Sequence, residues 1–72
     1  MKNPWNDEAR RILKAELARR DVSYKALSKA LEAVGVGESP RQLTNKINRG
    51  TFTFAFFLRC MKALGVRDVR LF

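Results

Sequence analysis

The chain has 72 residues, with fifteen Lys and Arg against seven Asp and Glu, no His and one Cys, for a net charge of +8 at pH 7. A length like this makes one domain, spanning residues 1–72, which buries only about 60% of the surface its unfolded form exposes. It contains no run of about 20 apolar residues for a membrane span, no apolar stretch of a secretory signal in "MKNPWNDEAR", and no second cysteine for an internal disulfide. A cytoplasmic, all-α bundle is therefore the expectation.

Helix 1 is expected over about residues 4–20. Asn3 is placed to cap it and Pro4 suits its first position. Asp7 and Glu8 fall in the early turns, at the positive end of the helix dipole. Trp5, Ala9, Ile12, Leu13 and Leu17 follow a 3.6-residue period and predict one buried face. Glu16 and Arg20 are spaced for an i,i+4 ion pair. Helix 2 is expected over about 24–34, with Ser23 as cap, Val22 and Leu27 as a hydrophobic staple, and Leu27, Ala30, Leu31 and Val34 as its stripe. Gly35 ends it.

Helix 3 is expected over about 40–49. Ser39 caps it, Pro40 opens it, Gln42 completes an S-x-x-Q capping box and Gly50 stops it. Leu43 and Ile47 alone anchor it. Helix 4 is expected over about 54–64, after Thr53, with Phe52 and Phe57 as a staple. Phe54, Phe57, Leu58, Cys60, Met61 and Leu64 make it apolar on most sides, which predicts the central helix. Gly65 ends it. The tail 66–72 fits either a short strand or a final helical turn, giving a four- to five-helix bundle. Within "FTFAFF", Phe56 is the aromatic expected to be left outside, where it would mark an interface such as a homodimer surface. Trp5 reads as a core or edge plug.

Charge is unevenly divided. Residues 1–38 carry +2 and residues 39–72 carry +6, with no acid between Ser39 and Arg67. Helix 3 has a thin apolar stripe and an acid-free polar face. Arg pairs with the O6 and N7 of guanine, Asn or Gln with the N6 and N7 of adenine, and a major groove admits one helix. Arg41, Gln42, Asn45 and Lys46 are thus the expected base contacts. Ser23, Tyr24 and Lys25, at the start of helix 2, and Arg49 and Thr51, at the end of helix 3, are the expected phosphate contacts. The expected partner is double-stranded DNA, with no membrane and no small-molecule substrate.

"SYKALSKAL", a turn, "LTNKINRG" and then "FLRCMKALGV" resemble the Cro and phage-repressor (Xre-type) helix-turn-helix domain over roughly residues 12–66. Leu27, Leu31, Ile47, Gly50, Ala63, Leu64, Gly65 and Val66 carry the match. The chain also looks like small bacterial and phage domains of this fold whose function is unassigned. The resemblance implies a lambda-repressor-like helix-turn-helix, sequence-specific DNA binding through helix 3, a repressor-like role and usually a dimer. "EAVGVGE" is longer than the family's turn and predicts an extra turn on helix 2. The Leu43–Ile47 spacing is four where the family more often has three.

Nothing suggests catalysis. No His, zinc-ligand set or glycine-rich phosphate loop occurs, the acids have no reason to converge, and Cys60 lies on an apolar helix face. No enzyme activity and no cofactor are expected. The rival expectation is a protein-interaction module that keeps the fold, binds an acidic partner or homodimerises, and leaves DNA alone.

Overall fold

A computed structural model describes residues 3–72; the first two residues of the expected 1–72 domain lie outside the described residues. Four helices form, and the described residues contain no strand: α1 Pro4–Arg19, α2 Tyr24–Ala33, α3 Pro40–Arg49 and α4 Phe54–Leu64. Each starts on the cap its sequence offers. Asn3 Oδ1 accepts from the Trp5 amide at 2.9 Å, Ser23 Oγ from Ala26 at 3.1 Å, Ser39 Oγ from Gln42 at 3.1 Å and Thr53 Oγ1 from Phe56 at 3.0 Å.

Three helices close by one device. Asp21, Gly35 and Gly65 take left-handed backbone, each followed by a valine. The amides of Val22, Val36 and Val66 each donate at 2.9 Å to the carbonyls of Leu17, Leu31 and Met61, respectively. This is the Schellman closure. It turns each valine back onto the core beneath the residue it bonds. The closure ends α2 at Ala33, within one residue of the expected bound and on the glycine expected to end it, and residues 34–39 are a loop. Val34 is exposed for the same reason.

The core comprises Leu13 and Leu17 of α1, Leu27 and Leu31 of α2, Leu43 and Ile47 of α3, Phe56, Cys60 and Met61 of α4, and Val66. The main packing pairs are α1 with α3, α3 with α2, and α2 with α4. α2 and α3, each packed between two other helices, are therefore the middle of the bundle, rather than α4. α4 covers α2 from one side, so only one of its stripes is buried. Phe56 is 4% exposed, because it shares the stripe of Cys60 one turn later, and Phe54 is 72% exposed. The expected order of these two phenylalanines is thus reversed. Trp5 is also outside, at 69%; it precedes the part of α1 that another helix covers. The tail forms neither strand nor helix. Val66 and Val69 lean on the core, and Arg11 Nη2 donates to the Leu71 carbonyl at 2.9 Å.

Glu16 joins both Arg19 and Arg20 at 2.7 Å, and is itself only 1% exposed. The expected Glu16–Arg20 pair forms, with a second arginine added to satisfy both carboxylate oxygens. No helix among the described residues is long and apolar enough to cross a membrane.

Candidate nucleic-acid interface

α3 is held along one edge by Leu43 and Ile47, both fully buried. Arg41, Gln42, Asn45, Asn48 and Arg49 are exposed, and Thr44 and Lys46 half-buried. The helix is fixed at both ends. At its start, the buried Ser28 hydroxyl of α2 donates to the Glu38 carbonyl at 2.5 Å. Gln42 Oε1 accepts from the Ser39 amide at 2.8 Å, which completes the capping box. Lys46 Nζ reaches Glu38 Oε1 at 2.6 Å. At its end, Gly50 is left-handed and buried, its amide donates to the Ile47 carbonyl at 3.1 Å, and Arg10 of α1 donates to the free carbonyl of Asn48 at 2.9 Å. Asp7 steadies that arginine at 2.6 Å. The outward face of α3 is therefore presented rigidly, although the preceding loop is long.

The expected site residues divide into groups. Gln42, Asn45, Lys46, Arg49 and Thr51 share an open groove of about 500 Å³. Arg41 is exposed on the same helix but does not line it. Ser23 and Tyr24 line a separate hollow of about 240 Å³ with Lys14, Leu17, Ala18 and Val22, and Lys25 is exposed beside them. Their chemistry is also partly engaged. The Ser23 hydroxyl caps α2, and burial pushes the Tyr24 phenol above its ordinary range. The Gln42 carbonyl belongs to the cap, so the two-point contact with adenine would require that bond to open.

Lys46 differs most from expectation. Its ammonium is paired with Glu38 and sits 4.8 Å from the centre of the Phe56 ring. It faces α4 and the loop rather than standing free. Glu38, Phe52, Thr53 and Phe56 complete the groove; of these, sequence reasoning placed only Thr53 beside the site and left out Glu38, Phe52 and Phe56. Glu38 lies in the loop before α3, outside any helical repeat, so no pattern in the chain signals the pair.

Charge pairing sharpens the asymmetry. Among the described residues, α1 and its cap neutralise Arg10, Arg11, Arg19 and Arg20 with Asp7, Glu8 and Glu16, and Lys46 alone is paired in the C-terminal half. Arg41 and Arg49 have no ion-pair partner there. Cys60, beneath this site, is fully buried, and burial pushes its thiol up to about 11, so it carries little thiolate near neutrality.

A family model described as "Domain of unknown function (DUF6471)" matches residues 5–69. No curated protein and no solved structure matches the chain.

Proposed function

The chain belongs to the DUF6471 family, a domain of unknown function, and from the geometry of α3 we propose that it binds double-stranded DNA as a repressor-like regulator. α2 and α3 act as a helix-turn-helix, and α3 lies in the major groove. One observation carries the reading: α3 gives only two side chains to the core and turns Arg41, Asn45 and Arg49 outward, exposed and free of ion pairs among the described residues. A solvated helix ordinarily mixes acids with its bases; this one has none.

The connection between α2 and α3, residues 34–39, is longer than the three or four residues usual in the motif. The Ser28 bond to the Glu38 carbonyl holds the start of α3 against α2 in its place. In this reading Arg41 and Asn45 meet base edges, Arg49 and Thr51 meet phosphates from the groove, and Ser23, Tyr24 and Lys25 meet a further phosphate at the start of α2. Lys46 supports the face from within, and Gln42 joins a base only when its cap opens.

The test is selection of bound sequences from a random DNA pool at near-physiological salt. A defined winning sequence is expected, with log affinity falling against log salt by about 0.9 per phosphate, or near −4 to −5 for about five contacts per subunit. An unenriched pool, or affinity indifferent to salt, would sink the proposal.

A further inference from the structure

Two of the exposed large apolar side chains, Phe54 and Leu71, line one groove. It measures about 230 Å³, lies between α1 and the start of α4, and is lined by Ala9, Ile12, Phe52, Phe54, Phe57 and Leu71. Phe54 stacks on Phe57 with ring centroids 6.1 Å apart. Trp5 stands one helical turn before Ala9, and Leu58 one turn after Phe54; both are exposed. The Arg11 bond to the Leu71 carbonyl holds the tail against α1, which makes the groove a fixed part of the fold.

Shape and charge together indicate what fills it. A concave apolar slot receives a protruding side chain, as when an amphipathic helix lies in a groove. Helices that rest on a bilayer instead bury a continuous apolar face in its interface. Cations border the α4 side of the slot. The row of Phe54 and Leu58 continues to Lys62, with Arg59 beside it. Neither has an ion-pair partner among the described residues, while the acids of the first turns of α1, Asp7 and Glu8, are taken by Arg10 and Arg11, and Asp68 lies with Arg19 and Arg70 in a separate hollow. A second copy related by a twofold axis would set this patch against itself. Like charges would then meet with these acids engaged or turned elsewhere, so the occupant supplies the carboxylates.

We infer that this groove docks a segment of a partner protein that carries Asp and Glu around a large apolar anchor. The inference does not rest on DNA binding, since no lining residue belongs to α3. The full chain is used to select from a displayed library of random 16-residue peptides at near-physiological salt. Winners are synthesised and titrated against the emission of Trp5, the single tryptophan. The expected winners pair apolar residues at i,i+4 with acids, and binding shifts Trp5 emission to shorter wavelength. The double variant Phe54→Ser, Leu58→Ser, altered only at exposed positions, keeps its circular dichroism and melting temperature but loses at least about tenfold in affinity. Arg59→Ala with Lys62→Ala weakens binding and flattens its salt dependence. Four results overturn the inference: no peptide selected; winners without acids; peptides indifferent to the Phe54 and Leu58 changes; or a Trp5 shift produced only by phosphatidylserine vesicles or by raising the protein's own concentration.

Discussion

Gly50 and Asn6 meet so closely that no side chain fits between the end of α3 and the first turns of α1. A β-carbon on Gly50 would fall inside the van der Waals shell of the Asn6 carbonyl oxygen, and the glycine's φ of +69° is left-handed as well. The obstruction is backbone, which cannot rotate away. Gly50→Ala is therefore expected to destabilise the fold by about 2–4 kcal/mol. The check is urea unfolding, with a lower midpoint and an unchanged m-value. Gly37→Ala, where nothing lies within 4 Å, should stay within about 0.5 kcal/mol of the parent.

The groove carries an internal brake on anion binding. Glu38 neutralises Lys46 and also presents a carboxylate to the proposed DNA face. Glu38→Gln is expected to tighten DNA binding and to steepen the slope of log affinity against log salt by about 0.9, the contribution of one more phosphate contact. Arg41→Ala, by contrast, is expected to lose about 1–3 kcal/mol and to relax preference at one base pair. Titrations of both variants at several salt concentrations, on the selected sequence and on a scrambled one, separate the two effects.

Glu16 bears on stability alone. It is buried and accepts from two arginines that water still reaches. Glu16→Gln keeps the shape and removes the charge, so a loss of about 1–3 kcal/mol is expected, less than for a fully enclosed pair because the arginines can resolvate. Arg19→Ala should cost less than about 1 kcal/mol, since Arg20 still pairs. Thermal melts of the two variants should rank them in that order.

Cys60 predicts how stability changes in alkali. Its folded thiol is raised to about 11 against an ordinary 9.0. Below pH 9 the thiol is protonated in both states, and the folded chain keeps its full advantage. Between 9 and 11 the unfolded chain gives up the proton while the folded chain holds it, so stability falls with pH by about 2–3 kcal/mol at the upper end. Tyr24, also raised by burial, adds a change of the same sign from about pH 10. In Cys60→Ala the thiol's share of this slope should vanish, whatever the variant's stability at pH 7. Urea midpoints measured from pH 7 to 11 provide the test.

The helices were legible because their ends are chemical. Ser39, Pro40 and Gly50 bound α3, and Thr53 and Gly65 bound α4, at the expected residues. The outward placement of Arg41, Asn45 and Arg49 follows from the spacing of Leu43 and Ile47. Sequence does not disclose which apolar stripe of a helix finds a neighbour. α4 has more apolar residues than one neighbour can cover, and packing against α2 alone decided for Phe56 over Phe54. The Glu38–Lys46 and Arg10–Asn48 contacts were equally hidden, since they join segments whose approach depends on the finished fold. The start of the α2–α3 connection was visible in Gly35, which ended α2 as expected, but the bond from the Val36 amide to Leu31 and the path of the loop to Ser39 were not.

The clasp of Ser28 on the Glu38 carbonyl comes just after Gly37, where an added β-carbon would meet nothing within 4 Å, and the bond from the Val36 amide to Leu31 comes just before it. Slack in the chain thus lies at Gly37, between two fastenings. An extra residue inserted there would bulge into solvent and leave the register of the following helix unchanged, which makes this bend the natural seam for a graft or a tag.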